Sequence, residues 1–369
     1  MKRFLWILVV LMTGAPAWAA SDKVTVQQLK DLLVSMKQGK KTDEEVSTRI
    51  KEIELSEELT ATEKSNLMFA SPGPLTSEQI CVLEARNSML APPSSDLPDL
   101  PAPDDAAQKV ILDRAIGFAA KNDQLISRLT ASKAVAHYGH VNEFNRWGNY
   151  GGVQQGGIVR DRGDRTIMAL TSKYVDTIEI NQGKEKVSGS TIDPHLRHTS
   201  PWAEDGPKPA LSSIMSKAVE SGNVRWLRWE TINGTKTAVF SFAMNKKGSP
   251  YVVDYCCFLT SNGFAFEWGP FKKTVGLHGE FFIEPDSGTT LRDVIQAELS
   301  PTDSVEQEDT RVDYGTATVD GKTYVVPVNS YTHSEVDAAG DSQAKGVILR
   351  ETFLVASYAN YHTAEAAKK

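Results

Sequence analysis

The sequence predicts an α+β protein. It reads as a small N-terminal helical module followed by a curled antiparallel β-sheet, a half-barrel, packed on helices. Three observations lead there. Apolar residues recur at helical spacing up to about residue 90, and again from about 104 to 129. After Thr130 the period falls to two. Asn233-Gly234 and Asp320-Gly321 each stand between alternating runs, as two-residue hairpin turns do.

Residues 1–19 have the form of a signal peptide. Lys2 and Arg3 give a positive start, Phe4 to Met12 an apolar run, and Ala17-Trp18-Ala19 a small-x-small cleavage pattern. The run is too short for a permanent membrane span, and no later stretch offers a transmembrane anchor. An exported protein, periplasmic or extracellular, is expected.

Residues 20–91 form the expected helical module. Val26, Leu29, Leu32, Leu33 and Met36 share one stripe, with Thr25 as cap and Gly39 as stop. The segment "KTDEEVSTRIKEIEL" opens with acids, which suits a helix N-terminus. Thr60-x-x-Glu63 fits a capping box, and a further helix starts at Thr76 or Ser77. Residues 92–104 are a Pro-rich linker that forbids a continuous helix.

Residues 105–369 are the expected sheet-plus-helix domain. A long helix precedes the first strand, and Lys208 to Gly222 forms the one helix inserted among hairpins. "GEFFIEPDSGTTLRDVIQAEL" is strand, turn and strand around Asp286-Ser287-Gly288. Gln182-Gly183 marks another turn. Successive hairpins favour antiparallel neighbours, and a twisted sheet of this many strands curls.

The chain carries −7 at neutral pH, and −9 once Lys2 and Arg3 leave with the signal. An acidic chain with no dense basic patch is a poor nucleic-acid binder. Cys81, Cys256 and Cys257 are an odd set, which allows one bridge at most. Cys256 and Cys257 read as strand neighbours on opposite faces. They are packing residues, or one of them bridges Cys81, or they form a redox site.

Catalytic signatures are weak. His137-x-x-His140 lies on a strand, where such spacing points to opposite faces. His195, His198 and Asp193 lie in a loop and are the metal candidate, short of a further ligand. His278, His333 and His362 are scattered among strands. "WGNYGGVQQGGIV" lacks the Lys-Ser/Thr ending of a phosphate loop, and Arg162-Gly163-Asp164 reads as a turn. Gly-x-Ser-x-Gly and His-Glu-x-x-His do not occur. No catalytic residue and no cofactor is assigned, and the protein is expected not to be an enzyme. Aromatic residues concentrate in the central strands. Trp226, Phe240, Phe242, Phe258 and Phe281 are the candidate ligand-binding residues, for a cavity that takes an acyl chain; the other reading is a packed core.

"GEFFIEPDSGTTLRDVIQAEL", "VDYGTATVDGKTYVVPVNS", "PALSSIMSKAVESGNVRWLRWE" and "DYCC" resemble a family of uncharacterised secreted proteins common in acidobacteria. The strand-turn-strand also resembles the sheet of lipoprotein carriers of the LolA, LppX and RseB kind. That resemblance implies a half-barrel wrapped round helices and holding acyl chains, with Glu284 to Arg292 as a structural hairpin. The helices before the linker are not part of that carrier fold.

Two functions are therefore expected ahead of a third. The first is a non-enzymatic binder of a lipid or lipoprotein acyl chain. The second is an envelope-associated module with a filled core that meets a protein partner through its helices. The third is a metal-dependent hydrolase.

Overall fold

A computed structural model describes residues 23–142, 166–181, 184–192, 210–261, 266–337 and 349–363. The signal segment, the Gly-rich stretch, Arg162-Gly163-Asp164 and Gln182-Gly183 lie outside the described residues. The fold is α+β, with a ten-stranded antiparallel sheet that is not closed. Among the described residues no helix is long and apolar enough to cross a membrane.

The helical segment comprises α1 (Val26–Gln38), α2 (Asp43–Lys51), α3 (Ala61–Ala70) and α4 (Pro74–Arg86). A short parallel pair, β1 (Lys23–Val24) and β2 (Glu54–Leu55), ties it together. Thr25 with Gln28 and Thr42 with Glu45 form reciprocal capping boxes on α1 and α2. At α3 only Thr60 caps; Glu63 turns instead to Lys30. The start of α4 differs from the sequence expectation. It begins at Pro74 rather than at Thr76 or Ser77, and Asp43 supplies the cap from α2, accepting the N–H groups of Leu75 and Thr76 at 2.9 Å each. A cap more than thirty residues away leaves no local signal. The apolar stripe of α1 closes a small core with Val46, Ile50, Leu67, Ile80 and Leu83.

After the linker come α5 (Asp105–Ile126), β3 (Leu129–Asn142), β4 (Thr166–Asn181), β5 (Lys184–Ile192) and α6 (Leu211–Glu220). The chain continues through β6 (Val224–Ile232), β7 (Thr235–Met244), β8 (Val252–Ser261), β9 (Phe266–Thr274) and β10 (Gly276–Ile283). It ends with β11 (Thr290–Glu298), β12 (Val305–Val319), β13 (Lys322–Asp337) and β14 (Leu349–Thr363). The sheet order is β5-β4-β3-β14-β13-β12-β11-β10-β7-β6. Asn233-Gly234 and Asp320-Gly321 have positive φ at both positions, the geometry that matches the twist of tight hairpins.

One strand pair departs from the expected single sheet. Among the described residues β8 and β9 pair with each other alone, and β10 returns directly to β7. Their hairpin still contributes Tyr251, Val253 and Tyr255 to the central core.

Helices cover both faces of the sheet. On the inner face α5 and α6 pack Ile111, Ala115, Ala119, Ile214, Met215 and Ala218 against Phe240, Phe242, Phe281 and Ile283. On the outer face α4 sets Val82 and Ala85 against Tyr138, Met168 and Phe353. The helical segment is thus an added layer on the face away from α5. The linker connects the two layers past the edge strand β6, where Trp229 Nε1 donates to Pro101 O at 2.8 Å. The β10–β11 hairpin is architectural. Glu284 accepts the N–H groups of Asp286 and Ser287, Arg114 of α5 donates to Pro285 O, and Gly288 has φ 78 with the Arg114 backbone where a Cβ would stand.

Candidate functional site

The nominated aromatics form a packed core. Phe240 and Phe281 are fully buried, and Phe242 is 2% exposed. Phe242 stacks on Phe281 with centroids 4.2 Å apart, which requires the bare backbone of Gly279 between β10 and β11. Half-buried Trp226 meets Trp229 and Phe240 edge-on at 4.8 and 5.5 Å. Edge-on and stacked pairs add to area burial, so these rings stabilise the sheet. Phe258 sits in β8 opposite Gly269, with its side chain outside the described part.

The open space lies further along the same inner face. A cavity of about 80 Å³ sits between the sheet and the facing sides of α5 and α6. Residues of β4, β5, β14, β13, β12 and β11 line it. In a flat sheet β4 and β11 would stand roughly 24 Å apart, five strand spacings. One small cavity reached by both strands requires a curled sheet.

The lining is apolar in its walls and polar at fixed points. Phe118, Ile126, Ile214, Ile295 and Val312 supply much of the wall. Asn122 Nδ2 donates to Val325 O at 2.9 Å and pins α5 to β13. Asp123 accepts the Ser212 N–H at 3.1 Å, so the first turn of α6 rests on its carboxylate. Burial pushes the Asp123 carboxyl up, against the opposing pull of the Ser212 bonds. Tyr358 donates to Glu185 Oε1 at 2.8 Å, and Lys133 pairs with Glu185 Oε2 at 2.8 Å. Tyr314 hydrogen-bonds the buried Asp293; burial, and then that neighbouring carboxylate, push the phenol well above its ordinary value. Tyr314 keeps some accessible surface toward the cavity. Among the described lining residues there is no Cys, His, Ser, Lys or Arg. These groups can orient the polar end of a molecule whose apolar part fills the wall.

A second polar system lies on the outer face. Arg311 pairs with Glu58 at 2.5 Å and Asp313 at 2.9 Å, and donates to Ser88 O at 2.8 Å. Arg292 joins the same two acids at 3.1 and 2.6 Å. Two cations and two anions cancel, which is how charges tolerate such burial. Further along, Arg86 of α4 grips Glu351 at 2.9 and 3.3 Å. Burial raises the Glu351 carboxyl, but the hydrogen bond from His333 and the Arg86 charge outweigh it and hold the pKa at about 2.

His333, Glu335 and Glu351 bring ligand-type atoms within 4.8 Å of one another, which raises the question of a metal. The hydrogen bonding gives the trio a structural role as well. Gln307 Nε2 donates to Asp309 at 2.5 Å, which sets the orientation of its amide, and lies 3.2 Å from His333 Nδ1. Nδ1 is therefore the acceptor and the proton rests on Nε2, the nitrogen 3.3 Å from Glu351. Arg86 already holds Glu351. The trio is a clamp between α4 and the sheet. Its sequence signal was His333-x-Glu335, two residues on one face of one strand.

His195, His198 and Asp193 lie outside the described residues. His137 is buried, with Nδ1 3.0 Å from the Thr171 hydroxyl, while His140 is exposed, as opposite faces demand. His278 and His362 lie at the surface, 4.0 Å from Glu298 and 2.8 Å from Asn360 O. Cys81 is a free thiol beside Tyr138 on the outer layer, so the bridge to Cys256 or Cys257 that the sequence allowed does not form. The side chains of Cys256 and Cys257 lie outside the described part.

No family model matches the chain, and no curated protein matches it. Among solved structures, a DUF1329 family protein from Desulfovibrio piger superposes with a TM-score of 0.27 at 10% identity, over 68% of this chain and 92% of that one. So loose a superposition carries no argument, and the resemblances drawn from the sequence receive no family assignment.

Proposed function

We propose that this is an exported, non-enzymatic binding protein whose cavity beneath α5 and α6 seats the apolar part of a small hydrophobic or amphiphilic ligand, such as the end of a lipid or lipoprotein acyl chain. The supporting observation is the cavity itself, mostly apolar and studded with fixed polar groups, beside the packed core under α5 and α6. Its volume is about half of the ~150 Å³ that admits benzene in an engineered apolar cavity. It therefore holds a short length of chain, and a longer one enters only if α5 and α6 shift. The test is native mass spectrometry of the mature protein isolated without detergent. An added mass that organic extraction removes supports the reading. A clean mass, with no uptake of lipid extract afterwards, contradicts it.

A second reading, contact with a protein partner through the helical layer, is favoured by Phe69 on α3, which is 94% exposed. A photo-crosslinker at position 69 yields one defined adduct in cells if this reading holds. Adducts no different from those of a control surface position would end it.

A further inference from the structure

Away from the cavity, on the outer face, His333, Glu335 and Glu351 gather a nitrogen and two carboxylates. Register puts them together. His333 and Glu335 are two apart on β13, and Glu351 of β14 stands directly opposite Glu335. Two carboxylates facing one another across a ladder repel. Arg86 answers Glu351, whereas among the described residues Glu335 meets the imidazole, with Nε2 at 3.9 Å. Nε2 is buried and under-satisfied: 3.3 Å from Glu351, it falls short of normal hydrogen-bond geometry. The ring is fixed from behind. Phe353 stacks on it with centroids 4.6 Å apart, and Gln307 holds Nδ1. Arg86 likewise fixes the Glu351 carboxylate. A nitrogen aimed at two acids, with groups behind it that set its direction, is how proteins orient metal ligands. Glu335 is one-third exposed, which leaves an ion a way in.

We propose that His333 Nε2, Glu335 and Glu351 bind one divalent transition-metal ion of the zinc class, with water completing its coordination. Imidazole with carboxylates suits such ions. Bonds of ~2.1 Å set tetrahedral ligand atoms ~3.4 Å apart. The trio's atoms, all within 4.8 Å of one another, reach that spacing by carboxylate rotation. Coordination needs the Nε2 lone pair. The Nε2 proton therefore leaves to water and Nδ1 takes one up, with no net change in protonation. Gln307 then turns its amide oxygen to the Nδ1–H, while Asp309 keeps the amide of Gln296, 3.2 Å away. Glu351 comes to bridge the ion and Arg86, so the ion ties α4 more firmly to β13 and β14.

The experiment is titration of the mature chain, first stripped of metal by a chelator, with Zn²⁺ at neutral pH. Calorimetry reads the affinity, and nitrogen NMR of the histidine rings reads which nitrogen of His333 carries the proton. If the proposal holds, Zn²⁺ binds and the His333 proton moves from Nε2 to Nδ1. Glu335→Gln keeps the shape of the side chain and leaves the Arg86–Glu351 pair in place. It weakens Zn²⁺ at least about tenfold, and so does His333→Ala. Ca²⁺, which prefers an all-oxygen shell, competes poorly. No uptake of Zn²⁺ overturns the proposal. So does uptake that either substitution leaves unchanged, or that leaves the His333 proton on Nε2, since the ion then sits elsewhere.

Discussion

Along β11 the two faces of the sheet can be read residue by residue. Arg292 and Val294 turn outward, to Glu58 and to the apolar cluster of Met89. Asp293 and Ile295 turn inward, to the cavity and to the core under α5 and α6. The outer interface relies on paired charges: Arg311 and Arg292 with Glu58 and Asp313, then Arg86 with Glu351. The inner interface relies on aromatic and aliphatic packing, and its carboxylates at Asp123 and Asp293 meet neutral donors. Charges matched in place glue one layer to another. Close packing of rings and aliphatic side chains holds the other.

The largest test of that contrast is on the outer side. Arg311→Ala leaves Glu58 and Asp313 buried with Arg292 as their shared cation. It should cost about 3–5 kcal/mol by chemical denaturation, the range for breaking a buried pair. A loss below about 1 kcal/mol would mean that the helical layer does not depend on this network.

The next test reads Glu351 through pH. Its folded pKa, about 2, lies below its ordinary value of 4.5. A depressed carboxyl stabilises the fold above the unfolded pKa and loses that contribution as pH falls through the folded one. Glu351→Gln should therefore cost about 3 kcal/mol at pH 7, and the difference from the parent should fade between about pH 4.5 and pH 2. A difference independent of pH would show that lost packing, not charge, explains the change.

A smaller effect is expected on the inner side. Gly279→Ala places a Cβ against Val294 O and the Phe242 ring. The strands must separate, at about 1–3 kcal/mol by thermal or chemical unfolding. Unchanged stability would show that the close approach of β10 to β11 is not needed. Smallest of all, Val325→Phe adds a ring to the cavity from a half-buried position. It should change stability by less than about 1 kcal/mol while removing ligand uptake.

Much of this architecture was legible because its signals are local. Gly222 has φ 70 just past α6, and Asn233-Gly234 has the backbone its hairpin needs. The hairpin around Asp286-Ser287-Gly288 read true for the same reason. Other features depended on the fold. Asp43 caps α4 across a gap no pattern spans, and the withdrawal of β8 and β9 from the sheet follows from where β10 pairs. The aromatic residues signalled burial, which by itself does not tell a binding wall from a packed core; Phe240, Phe242 and Phe281 lie in the core. The cavity is marked instead by Asp123, Asp293 and Tyr314, residue types that an acidic strand-rich chain scatters widely. Only their shared inward facing singles them out.

The most direct test of the two-face account is amide hydrogen exchange with and without saturating octanol, a short amphiphile suited to the cavity. The account predicts slowed exchange in α5, α6 and β11 to β13, with α1 to α4 unchanged. Protection that appears instead in α3 and α4 would place the binding surface on the outer layer and contradict the account.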